Sequence, residues 1–258
     1  MRDLKDKWSL VTGASSGIGA EFARQLAARG SKLVLVARRE ERLQTLSDEL
    51  STESRVVAID LLEDDAIEKL HLATTDIDIA LLVNNAGFGD YGPFTDIEPD
   101  RAVNMVQLNI QKLVELTHAF LPHMIENKHG AIINLASTSA FQAVPFMSLY
   151  AATKAFVLHF SEGLWAETRK KGVTVQALCP GFTKTEFFDQ ANLPSSVAFG
   201  TKSVEDVVSS SLNALAKGRQ YNIPGWVNYV VSMSNRFVTR RLGAVNGAKM
   251  FNPKRHKQ

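Results

Sequence analysis

Short apolar runs alternate with amphipathic stretches along this chain, and the alternation predicts its architecture. Ser9, Leu10 and Val11 lead into a glycine-rich turn. Beyond it Ile18, Phe22 and Leu26 recur every four residues, the spacing of one helix face, and Gly30 offers a left-handed stop. Residues 32–37 are apolar after the first, the mark of a strand covered on both sides. Leu43, Leu46 and Leu50 predict a helix over 40–50, followed by a strand at 55–61, a helix at 64–72 and a strand at 79–83. One long helix is expected over 100–126, on Val103, Val106, Ile110, Leu113, Val114 and Leu116. A strand at 131–135, a helix at 149–171, a strand at 173–178, a helix at 204–216 and a short run at 221–224 complete the series. Such strand–helix alternation predicts an α/β protein, a parallel sheet of about seven strands with helices on both faces. No repeat, low-complexity tract or linker interrupts the pattern, so residues 1–258 are expected to form a single domain.

Composition changes this picture little and charge changes it more. At 258 residues and 45% apolar content the chain can bury one large core. The single Cys179 excludes an internal disulfide framework, and no Cys/His cluster has ligand spacing, so no metal is expected. Charges crowd residues 2–7, where a signal peptide needs apolar residues, and no apolar run reaches the roughly 18–20 residues of a membrane span. A cytoplasmic protein is the expectation, with no nucleic-acid partner. The net charge of +2 hides an asymmetry: every one of the 27 acidic residues lies at or before Asp206, and nine Lys or Arg follow it. From Tyr229 onward Val230, Val231, Met233, Phe237, Val238, Leu242, Val245 and Met250 recur at approximately helical spacing, among Arg236, Arg240, Arg241 and Lys249. A basic amphipathic helix over about 229–258 can cap a substrate pocket, lie on an anionic membrane surface, or form a solvated tail, and the cap is the preferred reading.

Candidate chemistry sits in four groups. In Gly13-Ala14-Ser15-Ser16-Gly17-Ile18-Gly19 the glycines allow a tight turn, close approach of the backbone to a pyrophosphate, and close contact of helix and strand. The helix that starts near Gly17 aims free N–H groups and its positive dipole end at that phosphate. Tyr150 and Lys154 are four residues apart, hence on one helix face, where the ammonium can stabilise phenolate and lower a phenol pKa of about 10. Ser137, thirteen residues before Tyr150 at the end of the 131–135 strand, can orient a substrate oxygen by hydrogen bonding, with Thr138 and Ser139 as competitors for that role. Asn84-Asn85-Ala86-Gly87 follows the fourth strand. A Ser–His hydrolase fails on pattern, because no G-x-S-x-G elbow surrounds any serine.

Read together, TGASSGIG, NNAG, Ser137, YAATK and Pro180-Gly181 make the chain, over about residues 7–225, similar to the classical short-chain dehydrogenase/reductase family, nearest its ketoacyl- and hydroxysteroid-reductase branch. The resemblance implies a Rossmann-type doubly wound fold and an oxidoreductase that interconverts a carbonyl and a secondary alcohol. It assigns Tyr150 as general acid, Lys154 as its tuner and a ligand of the nicotinamide ribose, Ser137 as orienter, and Asn109 as the holder of a water that links Lys154 to solvent. Asp60 and Leu61 would then lie near the adenine, Asn85, Ala86 and Gly87 would wall the adenosine half, and Pro180, Gly181, Thr183 and Thr185 would support the nicotinamide end. Ala37 stands where NAD-specific members carry an acid, and Arg38, followed by Arg39, can grip a 2′-phosphate. NADP(H) is therefore expected over NAD(H).

Residues 186–201 correspond to the family's substrate lid, and Phe187, Phe188, Leu193, Val197 and Phe199 within it suggest an apolar carbonyl substrate. The apolar excess of the 100–126 helix (Met105, Leu108, Leu113, Leu116 and Phe120 span more than one stripe) points to a homodimer or homotetramer. A cofactor-binding sensor or scaffold of the same fold is the alternative, against which the complete Ser137–Tyr150–Lys154 set speaks.

Overall fold

The computed structural model describes residues 4–194, 196 and 200–255, so Val197 and Phe199 of the expected lid lie outside the described residues. Seven parallel strands form one sheet: β1 (Trp8–Thr12), β2 (Lys32–Ala37), β3 (Ser54–Ala58), β4 (Ile79–Asn84), β5 (Gly130–Leu135), β6 (Val173–Leu178) and β7 (Tyr221–Asn222), in the order β3-β2-β1-β4-β5-β6-β7. The strands read as unbroken apolar runs because both faces are covered. Val11, Leu33, Leu35, Leu81 and Val83 join one core. Their neighbours Leu10, Val34, Val36 and Leu82 turn to the opposite one. Helices α1 (Gly17–Ala27), α2 (Glu40–Glu49) and α8 (Val204–Ala216) supply Phe22, Leu26, Leu43 and Val208 to the first core. Helices α3 (Ala66–Leu72) and α5 (Leu113–Glu126) bring Leu70, Leu116 and Met124 to the second. The chain reverses its direction of travel across the sheet between β1 and β4. In open α/β sheets the ligand crevice lies at such a switch, beyond the carboxyl ends of the strands.

The structure departs from the sequence pattern in three places. The long helix of 100–126 is α4 (Pro99–Val106), a wider π-type turn over Gln107–Lys112, and α5. The wide turn brings both Asn109 and Lys112 into buried positions. Met105, Leu113 and Leu116 are buried within the chain itself, so its own core accounts for most of the apolar excess expected at an oligomer face; Val103 and Val106 remain exposed. The strand expected at 55–61 ends at Ala58, its last partner being Ala37, and leaves Asp60 and Leu61 in the loop that follows. The basic segment is two helices rather than one, α9 (Trp226–Ser234) and α10 (Arg240–Met250), parted by a 3-10 turn at Asn235–Phe237. Val238 is extended, and Thr239 starts α10 by accepting a capping bond from the Leu242 N–H at 3.3 Å.

Candidate active site

The glycine turn after β1 is built as the motif demands. Gly13 and Gly17 have φ of +64° and +56°, left-handed values that suit glycine. A Cβ on Gly19 would lie 2.3 Å from the Gly13 carbonyl oxygen, so Gly19 works beneath the turn rather than at its surface. Ser16 makes no side-chain capping bond to α1, which leaves the first N–H groups of that helix to an incoming anion. Thr12 ties the turn to the NNAG segment. Its hydroxyl accepts from the N–H groups of Asn85 and Ala86, both at 3.0 Å, while Asn85 Nδ2 donates to the Thr12 carbonyl at 2.9 Å. Thr12 opens the TGASSGIG motif, and its hydroxyl holds the glycine turn and the NNAG segment at a fixed distance.

From this turn a cavity of about 940 Å³ runs to Ser137, Tyr150 and Lys154. Gly13, Ser15, Ser16, Gly17, Ile18, Arg38, Arg39, Asp60, Leu61, Asn85, Ala86, Gly87, Pro180, Gly181, Thr183 and Thr185 all line it. Two expected residues do not. Gly19 packs below, and Asn109 stands behind the wall, with its side chain fully engaged. Asn109 Oδ1 accepts from the Phe88 N–H at 3.1 Å, and its Nδ2 donates to the Phe88 carbonyl at 2.9 Å and to Thr153 Oγ1 at 3.1 Å. In this arrangement Asn109 clamps the loop after β4 to α6 (Ser148–Thr168). A Cβ on Gly87 would come 2.8 Å from Asn109 Oδ1, so the clamp also requires glycine there.

Ser137 follows β5 in an extended conformation and caps the 3-10 turn Thr138–Phe141 by accepting from the Ser139 N–H at 3.1 Å. Among its two competitors, Ser139 has a buried hydroxyl with no hydrogen-bond partner. Tyr150 and Lys154 sit in the first turns of α6, and the Lys154 ammonium donates to the Leu135 carbonyl at 2.6 Å. That ammonium lies 5.7 Å from the centre of the Tyr150 ring. Burial nevertheless pushes the Tyr150 phenol up to about 12, with the hydrogen-bonded Ser137 hydroxyl opposing. Burial brings Lys154 down to about 8. Desolvation is the larger effect on this phenol, because a phenolate at a buried position loses the hydration it has in water. Cys179 is buried and its thiol is pushed up by that burial, which suits an inert core residue.

At the opposite end Arg39 donates to Ser15 Oγ and Ser16 Oγ, each at 3.0 Å, and pairs with Glu186 at 2.9 Å. Arg38 is largely exposed and pairs with Asp60 at 3.4 Å. Arg42 also holds Glu186, and hydrogen bonds from Arg42 and then Arg39 keep that carboxyl below its ordinary range. The start of α1, with Arg39 beside it, fits the phosphates of a pyridine dinucleotide, and Ala37 brings no carboxylate to the end of β2.

The substrate side has one wall from α7 (Phe187–Gln190), where the Phe187 ring lies 5.3 Å from that of Tyr150. Another wall comes from α9 and the end of α10, through Asn228, Ser232, Asn235, Met250 and Phe251. The Tyr91 hydroxyl donates to the Phe251 carbonyl at 2.8 Å and fastens this wall to the loop after β4. Asn228, Ser232 and Asn235 were missed from sequence, although polar residues at i, i+4 and i+7 in an otherwise apolar helix were the available signal.

Residues 7–195 match the family model described as short chain dehydrogenase. The human very-long-chain 3-oxoacyl-CoA reductase is 32% identical over 252 residues, which cover 91% of this chain and 81% of that protein. A short-chain dehydrogenase from Sphingobium yanoikuyae, solved in complex with NADPH, superposes with a TM-score of 0.81 at 32% identity, covering 98% of this chain and 97% of that one. The 3-ketoacyl-(acyl-carrier-protein) reductase of Brucella melitensis, solved with NADH, gives a TM-score of 0.74 at 27% identity, covering 82% and 91%. With the glycine turn, the NNAG segment and the Ser137–Tyr150–Lys154 group gathered around one cavity, this chain belongs to the short-chain dehydrogenase/reductase family of oxidoreductases.

Proposed function

We propose that the protein is an NADP(H)-dependent reductase that converts an apolar ketone to a secondary alcohol, with Tyr150 as the proton donor. The observation that carries this reading is the polarity of the cavity: a pair of arginines at one end, and a phenol, a hydroxyl and an ammonium at the other. A bound nicotinamide cofactor supplies the hydride in reduction and accepts it in oxidation. Ser137 Oγ and Tyr150 Oη together offer hydrogen bonds to a carbonyl oxygen, which orients the ketone. A phenol raised to about 12 is protonated at neutral pH, so Tyr150 holds the proton that the nascent alkoxide needs. Lys154, charged below about pH 8, stabilises the phenolate that remains.

Arg38 and Arg39 would hold the 2′-phosphate, Arg39 with help from Ser15, and the start of α1 the pyrophosphate. Val144, Met147, Phe187, Phe188 and Leu193 make the substrate wall apolar, which suits a bulky ketone or the acyl chain of a 3-oxoacyl thioester. The names of the human and Brucella relatives, both reductases of oxoacyl substrates, support the thioester among these. We also infer a cytoplasmic homodimer or homotetramer, supported by the exposed Val103, Val106 and Phe156 on α4 and α6. Light scattering at micromolar concentration that reports a monomer overturns the assembly.

The test of the activity is cofactor oxidation over aliphatic, aromatic, steroid and acyl-thioester ketones, run with NADPH and NADH. NADPH is expected to be preferred, and Ala37→Asp combined with Arg38→Ser to reverse the preference. Equal or tighter binding of NADH by the unaltered protein overturns the cofactor assignment, and no turnover of any ketone overturns the reaction.

A further inference from the structure

The helix α9 is amphipathic in the wrong sense for a protein surface. Its inner face, toward the cavity, carries Asn228, Val231 and Ser232, followed by Asn235 in the turn. Its outer face carries Trp226, Val227, Tyr229 and Val230, and Trp226 is 78% exposed. The pattern continues into α10. There Gly243, Ala244, Gly247 and Ala248 turn partly inward, and a Cβ on Gly247 would meet Pro145 at 3.0 Å. The larger Leu242 and Val245 face outward, and Phe237 between the two helices is 91% exposed.

Among the described residues, ten of the fifteen large apolar side chains that stand exposed fall between Trp226 and Met250. Scattered exposed apolar residues are ordinary, but a concentrated patch of this kind marks a surface that meets something other than water. Its charge selects the partner. Arg236, Arg240, Arg241 and Lys249 are exposed around the patch, and no acidic residue follows Asp206. Apolar side chains ringed by cations match a bilayer whose headgroups are anionic. A second copy meeting this face across a two-fold axis would instead set these cations against themselves, without a carboxylate in the segment to relieve them.

We propose that α9, α10 and the turn between them form a docking surface for anionic lipid bilayers, on which the protein rests without crossing. No helix among the described residues is long and apolar enough to span a membrane. The cavity lies directly against this segment, since Val231 and Met250 both line it. If the reductase reading above holds, an apolar ketone dissolved in the bilayer can enter the site from the docked side.

Flotation of the full chain with vesicles tests docking independently of catalysis. With phosphatidylcholine containing a third phosphatidylserine the protein is expected to float, and with pure phosphatidylcholine to partition at least tenfold more weakly. Each basic residue near an anionic surface contributes roughly fivefold in partitioning, so Arg240→Gln with Arg241→Gln is expected to weaken binding by an order of magnitude or more. Trp226→Ser with Phe237→Ser is expected to abolish it. None of these four side chains lines the cavity, so turnover of a water-soluble ketone is expected to stay unchanged. A variant that fails to fold is replaced by a measurement on the unaltered chain, in which brominated anionic lipids are expected to quench part of its tryptophan fluorescence. Failure of the chain to float with either vesicle, equal binding to both, or no quenching overturns the proposal. Self-association that disappears in Trp226→Ser with Phe237→Ser, without vesicle binding, assigns the face to a second copy.

Discussion

Helices α1 and α9 each cover an end of the cavity, and they are built in opposite ways. The inward side of α1 is Phe22, Ala23 and Leu26, all without solvent exposure, packed on the sheet. The inward side of α9 is Asn228, Val231 and Ser232, with Met233 packed against a core, while Trp226, Val227 and Val230 face out. A helix that closes a core is held by apolar burial, and its turn can present rigid backbone N–H groups to a phosphate. A helix that roofs a cavity has little core to bury, so it contributes polar groups inward and depends on other contacts for its outer face. The molecule therefore has a cofactor half whose geometry is fixed by the core and a substrate half whose geometry is held locally.

Tyr150→Phe is expected to lower kcat by about 10²–10⁴-fold while the affinity for NADPH, followed by fluorescence titration, stays within twofold, about the level of experimental scatter. Near-normal turnover would remove the acid assignment. Phe22→Ala is expected to cost about 3–5 kcal/mol in urea unfolding, against about 0.5 kcal/mol or less for Trp226→Ala. Similar losses for the two would mean that the outer face of α9 is packed after all.

Ketone reduction is expected to fall by about tenfold per pH unit above roughly pH 8. A buried lysine whose pKa is lowered to about 8 carries its proton below that pH and sheds it above, while Tyr150 near 12 remains protonated throughout. A flat profile to pH 10 would exclude Lys154 as the controlling charge. Smallest is Gly181→Ala: its new Cβ would lie 2.6 Å from Asn228 Nδ2 and press α9 outward. An overpacking cost of about 1 kcal/mol is expected as a Tm lower by about 2–4 °C, together with a rise in KM for the ketone.

Most residues singled out at the cofactor end line the cavity, and the signals that mark them are local. Gly13, Gly17 and Gly19 answer to backbone sterics within one turn, and Tyr150 and Lys154 share a helix face by spacing alone. Arg38, Arg39 and Ala37 reached the cavity because β2 must end there once the strand order is set. Asn109 was harder. Its place inside a helical run was visible, but not the wide turn that points it at Phe88 and Thr153 instead of into the cavity. The tuning of Tyr150 was also out of reach, since desolvation depends on everything that packs around the ring.

The alternation of strands and helices, the glycine turn and the shared helix face of Tyr150 and Lys154 were legible in the sequence alone, because each rests on residues only a few positions apart. The tertiary structure decided which side of α9 and α10 faces the cavity. It also decided where the long helix widens, that Glu186 meets Arg39 and Arg42, and that burial raises the Tyr150 phenol. These depend on groups brought together from distant parts of the chain. Apolar periodicity shows that a helix has two faces, but only the packing of the whole molecule selects which one lies against the protein and which against its surroundings.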